Sequence, residues 1–327
     1  MQGKVEPTNS AAAVYAGIDV SKDWLDVYVH PGGERWRVAN SLVGLRRLRR
    51  HLVELALAPE RLVLEATGKY HRSAHRTLSG WGYQVAVVNP LRARLFAQAC
   101  GVLAKTDRID ARLLALMGQS LAPQPNPPAA PQLEQLQELV HAHAAARAEA
   151  VALGHRLTQT TMPFLKAELS RRRSSLERHL HRLQLEIERR IQADPGLRNR
   201  AAILTSIPGI GATTAAALLA GLAEMGQCSA KAVTLLAGLA PLADDSGKRQ
   251  GQRHIRGGRG PVRNALYMAA LTAARCNPDL KAVYQRLRHA GKAAKLALTA
   301  VMRKLLVLAN TLITQNRKWS PISPKTA

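Results

Sequence analysis

A mixed α/β amino-terminal third followed by a helical remainder is the fold class that this 327-residue sequence predicts. Three observations carry the prediction. Short runs rich in Val, Ile, Leu and Tyr alternate with helix-period segments over roughly the first hundred residues. The stretch LAPQPNPPAAP, residues 121–131, then bars both a continuing helix and a central strand, because proline lacks the N–H donor and fixes φ. Beyond it, apolar residues recur every three or four positions among Ala, Leu, Glu and Arg, with Gly154 the one glycine between residues 132 and 191. The expected organisation is an α/β domain over 1–122, a Pro-rich linker with a helical hairpin or coiled coil over 123–198, and a mainly helical domain over 199–327. A 46% hydrophobic content suffices for real cores in each.

Element by element, VYAGIDV (14–20), WLDVYVH (24–30) and RWRVAN (35–40) read as a three-strand meander, with PGG as the turn between the second and third. Ser41 caps a helix over LVGLRRLRRHLVELAL. RLVLEA (61–66) is a short apolar strand, HRSAHRTLSGWG a helix ending at glycine, and YQVAVVN another buried strand. Asn89 as cap and Pro90 at the first helical position open a helix over LRARLFAQACG. The expected order is therefore β-β-β-α-β-α-β-α.

Charge narrows the partners. The chain has 47 Lys+Arg against 22 Asp+Glu, a formal net charge of +25, which favours a polyanion and above all nucleic acid. Residues 200–327 hold 19 of the basic and only 4 of the acidic residues, so the carboxyl-terminal third is the expected main contact with phosphates. Aromatics make up 4%, too few for a base-stacking platform. Cys100, Cys228 and Cys276 are far apart and form neither a disulfide framework nor a zinc pattern. Without a long uninterrupted apolar run or a leader-like start, the expectation is a cytoplasmic protein with no membrane partner.

Four carboxylates stand out. The strand-helix order above is that of RNase H-like domains. Asp19 ends the first strand in a half-buried apolar run, where an aspartate needs a partner or a metal. Asp23 in the turn and Asp26, alternating outward, are explained by solvation. Glu65 ends the strand RLVLEA in a position like that of Asp19, and Asp107 and Asp110 in KTDRIDA are three apart, hence neighbours on one helix face. Such a cluster suits a two-metal Mg²⁺ site acting on a phosphodiester.

GIDVSKDWLDV, EATGKY, VVNP and KTDRIDA, followed by SIPGIGATTAAALLA and DSGKRQGQRHIRGGRGPVRNALYMAA, resemble in order the DEDD transposases of bacterial insertion sequences, the one-hundred-and-ten family. The resemblance covers nearly the whole chain. It implies a RuvC-like nuclease domain with Asp19, Glu65, Asp107 and Asp110 as the tetrad holding Mg²⁺ or Mn²⁺, and a carboxyl-terminal transposase domain whose nucleophile is Ser246. It further implies double-stranded DNA partners (element ends or junction, and target), an element-encoded structured guide RNA, a dimer or tetramer, and a place in the bacterial cytoplasm beside the nucleoid. Local chemistry alone does not single out Ser246: DSG is no nucleophile elbow, and a turn serine beside Gly247 is the plain alternative. Lys69 departs from the smaller residue common at its position.

Around Ser246, the segment KRQGQRHIRGGRGPVR sets Lys248, Arg249, Arg253, Arg256, Arg259 and Arg263 among glycines that let backbone approach phosphates; a solvated basic loop is the alternative. SIPGIGATTAAALLA (206–220) reads either as a helix-hairpin-helix-like motif, with Gly209 and Gly211 at a phosphate, or as a tight helical connection. His141, His143, His155, His179 and His181 lack metal-ligand spacing and read as surface residues. Two other functions fit parts of the pattern: a RuvC-like junction resolvase that uses water in place of Ser246, and a non-catalytic nucleic-acid scaffold.

Overall fold

The computed structural model describes residues 13–321 apart from 67, 103–106, 244, 246–250 and 252, and of 107–109 the backbone alone. Two compact units divide the chain at Ala129 and Ala130.

In the first unit, β1 (Tyr15–Val20), β2 (Trp24–His30) and β3 (Arg35–Ala39) form the meander, followed by α1 (Leu42–Glu54), β4 (Arg61–Glu65), α2 (His71–Gly80), β5 (Val85–Val88), α3 (Pro90–Ala99) and α4 (Asp107–Leu121). The sheet order is β3-β2-β1-β4-β5. The β1–β2 and β2–β3 pairs are antiparallel, while β1–β4 and β4–β5 are parallel. The caps follow the sequence: Ser41 Oγ accepts from Gly44 N at 3.2 Å, and Asn89 Oδ1 accepts from Leu91 N at 2.8 Å with Pro90 in the first turn.

Strand alternation splits the sheet into two cores. Ile18, Leu62 and Leu64 face Leu45, Leu48 and Leu52 of α1 and Ala74 and Leu78 of α2. On the other side Val63 and Val88 pack with Leu114 and Met117 of α4, and Tyr28 packs with Ala111 and Ala115. The proline-rich stretch cannot extend the sheet, yet one residue of it reaches the edge of β5. Asn126 N donates to Val85 O at 3.1 Å, Val87 N donates to Asn126 Oδ1 at 2.8 Å, and buried His75 holds the Asn126 carbonyl at 2.8 Å.

The second unit opens with two long helices, α5 (Pro131–Gln159) and α6 (Pro163–Ala193). They form an intramolecular antiparallel hairpin: Arg190 bonds Gln135 near its base, and Arg172 pairs with Glu149 farther out. Leu136, Ile187 and Ile191 enter the same core as the helices that follow. Those are α7 (Pro195–Thr205), α8 (Ala212–Gly221), α9 (Ala230–Leu236), α10 (Gly260–Cys276), α11 (Pro278–His289) and α12 (Ala294–Thr314). By length and composition α12 would span a membrane, but its apolar side, with Val301, Leu305, Leu306 and Ala309, lies in the core. Buried Asn310 is satisfied there: Gly226 N donates to its Oδ1 at 2.8 Å, and its Nδ2 donates to Cys228 O at 3.0 Å. Between α9 and α10 stand two strands absent from the sequence reading, β6 (Pro241–Leu242) and β7 (His254–Ile255), paired antiparallel.

Candidate active site

Residues level with one another on adjacent strands present their side chains to the same face. Arg37 opposes Asp26, Asp26 opposes Asp19, and Glu65 is level with Val88. Asp19 and Glu65 each lie one position past the parallel pair Ile18–Leu64. One row therefore crosses the sheet: Arg37, Asp26, Asp19, Glu65, Val88.

The helix α4 crosses this face, and a glycine lets it in. A Cβ on Gly17, two residues before Asp19 and on the same side, would stand 2.0 Å from Ala111 O and 2.4 Å from Ala115 N. Farther back on β1, Tyr15 lies beside Gly118. The helix thus runs opposite to β1, and its first turn, with Asp107 and Asp110, lies toward the carboxyl ends of β1 and β4, where Asp19 and Glu65 are. Open α/β sheets offer their ligand sites at such strand ends. Glu65 and Asp110 line a single cleft of about 430 Å³, together with Pro90, Arg94 and Gln98 of α3.

Carboxylate oxygens are the hard donors that Mg²⁺ and Mn²⁺ take, so the chemistry of Glu65 and Asp110 fits a divalent cation. Among the described residues no three His, Cys, Asp or Glu side chains are close enough to form a metal group. The Asp107 side chain lies outside the described residues.

Asp26 departs from the sequence reading, which left it to solvent. Arg37 Nε donates to its Oδ1 and Arg37 Nη2 to its Oδ2, each at 2.8 Å, and the Asp26 side chain is only 15% exposed. The cause is the register of β2 and β3, which sets the two residues directly opposite one another. Asp23 is exposed in the turn, and its carbonyl accepts from Asn40 N at 2.9 Å.

In the second unit, Ser246, Lys248 and Arg249 lie outside the described residues. In the described residues on either side, β6 pairs with β7, and Gly251 N donates to Asp245 Oδ1 at 3.0 Å. Arg253 and Arg256 are exposed beside β7. Arg259 is instead engaged within the fold, where its guanidinium forms a two-point ion pair with Glu224 and donates to Gly221 O at 2.7 Å. That pairing holds the Glu224 carboxyl below the usual carboxylate range, against the opposing pull of burial. Arg263 Nη1 donates to Gly257 O at 2.6 Å.

The turn between α7 and α8 treats its glycines differently. Gly209 has φ +107° and is pressed against Ala273 of α10, 2.6 Å from where its Cβ would be, so its role is packing. Gly211 is the N-cap of α8 and faces open space. His141, His155, His179 and His181 are exposed or partly so; His143 is partly covered, and burial, then Arg147, push its imidazole toward the neutral form.

Strand alternation could have revealed Gly17 as the companion of Asp19. Nothing in the local sequence marks the pairs Asp26–Arg37 and Glu224–Arg259.

An α/β sheet with acidic residues at adjacent strand ends beneath an acidic helix start, joined to a basic helical region, is the frame of a DEDD-type transposase. Residues 16–162 match the profile of DEDD transposases of the IS110 type, and residues 201–285 match that of the transposase IS116/IS110/IS902 family. Two Moraxella proteins named pilin gene-inverting protein align almost end to end. The one from Moraxella bovis is 28% identical over 314 residues, and that from Moraxella lacunata 28% over 321; each alignment covers 93% of this chain and 97% of the relative. An uncharacterized 43.6 kDa protein of insertion element IS110 from Streptomyces coelicolor is 27% identical over 146 residues, 44% of this chain and 35% of its own. This chain belongs to the IS110 family of transposases, enzymes of insertion-sequence transposition and DNA recombination. The four carboxylates fall within the first match, and Ser246 falls within the second.

Proposed function

We propose that this transposase cuts and rejoins DNA through Ser246, using a RuvC-like amino-terminal nuclease domain whose Asp19, Glu65, Asp107 and Asp110 form one Mg²⁺- or Mn²⁺-binding tetrad. The observation that carries the reading is the level placement of Asp19 and Glu65 on adjacent parallel strands, with Glu65 and Asp110 lining one cleft. In that cleft Glu65 and Asp110 would hold the cation, and Arg94 of α3 adds a positive charge to the lining. A bound divalent cation supplies electrostatic stabilisation of the phosphate oxygens.

The covalent step is a transesterification. The Ser246 Oγ forms a bond to phosphorus, the bond from phosphorus to the leaving sugar oxygen breaks, and the serine proton is lost as that oxygen gains one. Rejoining is the same exchange in reverse, so no water or nucleotide is consumed. The first unit is the nuclease domain, and the second holds the helical segment and the transposase domain. The protein acts as a homo-oligomer, a dimer or tetramer. Arg253 and Arg256 meet phosphates near the nucleophile together with Lys248 and Arg249, and Gly211 offers the uncapped start of α8 as the open part of a helix-hairpin-helix-like motif. An element-encoded RNA guides the choice of DNA; the net charge of +25 suits RNA as well as DNA.

The test is a denaturing gel of the full chain with Mg²⁺, DNA carrying the element's junction, and RNA from its flank. An adduct in the wild type that is absent in Ser246→Ala supports the reading. Cut DNA with no adduct in either protein assigns the chemistry to a water-using resolvase, and binding without cutting assigns a scaffold.

A further inference from the structure

The face bearing the carboxylate row is covered by α4 over β1, β2 and β4, while β3 is the edge strand. Beside α4, on the side away from the Glu65–Asp110 cleft, lies an open groove of about 500 Å³ lined by Ala111, Asp26, Tyr28, Arg35 and Arg37. The register orders these groups. Arg35 is level with Tyr28 and Arg37 with Asp26, which is level in turn with Asp19. Two guanidinium groups thus step along the edge by two residues, about 7 Å, and the second stands at the level of the carboxylate row.

Both arginines are held in place. The Arg35 guanidinium lies 5.2 Å from the centre of the Tyr28 ring, and Arg37 is gripped at two points by Asp26 while its side chain stays 50% exposed. Orienting two such forks in advance reduces the entropy lost when they meet an anion. Asp26 aims the Arg37 guanidinium, and Arg35 stands outside that ion pair. An arginine fork matches the oxygens of a phosphodiester, and a spacing of this order suits successive phosphates.

We infer that the β3-edge groove seats the backbone of the DNA strand being cut, with Arg37 and Arg35 contacting phosphates next to the one delivered to the carboxylates. Asp26 is then a positioning residue that aims Arg37. This rests on the nuclease reading of the carboxylate row, which fixes where the cut phosphate lies.

The experiment uses the full chain and fluorescein-labelled DNA and RNA of one sequence, with dissociation constants followed against salt. Arg35→Gln, Arg37→Gln and the double variant are compared with Arg46→Gln/Arg47→Gln, an equal loss of charge on α1, which packs against the opposite face. The expected result is weaker DNA binding, with the slope of log K against log salt shallower by about 0.7–0.9 per arginine removed, and little change for the α1 pair. Unchanged slopes, equal effects of both pairs, or a loss confined to RNA would overturn the inference. Arg35→Gln carries the test even if Arg37→Gln fails to fold, since Arg35 is outside the ion pair. Cutting by Asp19→Asn separates the two levels: wild-type cutting there removes the nuclease reading itself, whereas its loss alongside unchanged arginine slopes removes only the groove.

Discussion

Asp19 and Glu65 stand one residue beyond the Ile18–Leu64 pair on adjacent parallel strands, so their side chains share one face and one level of the sheet. The local sequences around them, GIDV and VLEA, have in common only an apolar run ending in an acid. Their neighbourhood follows from the parallel register, and it directs the acidic start of α4 to the same place.

Gly17 keeps α4 at that height. Gly17→Val would drive a branched side chain into Ala111 O and Ala115 N, both backbone atoms that cannot rotate away. The expected cost is about 3 kcal/mol, the upper end for overpacking. Urea denaturation of the variant should show the loss, and strand cutting should fall with it because Asp110 precedes Ala111.

Arg259 is expected to act on stability more than on DNA. Arg259→Gln removes the pair with Glu224, and since both side chains are more than a third exposed the loss is about 1 kcal/mol. Glu224 has a depressed carboxyl pKa in the folded state, so its contribution is present above the unfolded carboxylate range, near pH 4, and disappears as pH falls through the folded value. Wild type should therefore lose more stability than the variant on acidification. The salt slope of DNA binding should match wild type for Arg259→Gln and become shallower for Arg253→Gln.

Asn310 ties α12 to the loop after α8. Asn310→Ala would leave Gly226 N–H and Cys228 C=O without their partner, at a cost of about 1–3 kcal/mol. Thermal unfolding should shift downward.

Much of the first unit was legible. The order of strands and helices, the caps at Ser41 and Asn89, and the strand-end carboxylates all follow from local alternation and turn chemistry, and the observed elements keep that order. What local pattern could not supply was register and distance in sequence. Asp26 looked solvated because only the β2–β3 pairing brings Arg37 to it. Arg259 looked like a phosphate contact because Glu224 is 35 residues away. The strands β6 and β7 are two residues each, too short to show a period. The repeat of α5 and α6 suited a hairpin within the chain or a coiled coil between chains, and the pairing of Arg172 with Glu149 identifies the hairpin.

The most direct measurement is strand cutting of junction DNA in Mg²⁺ by Asp19→Asn, Glu65→Gln and Asp110→Asn, each checked for wild-type folding by circular dichroism, together with the Glu65→Gln/Asp110→Asn double variant. If the three carboxylates act as one site, each single change lowers the rate by at least about a hundredfold, and the double variant is hardly worse than either of its parents. A folded single variant that cuts at the wild-type rate, or a double variant whose loss is the full product of the two singles, would contradict a shared site.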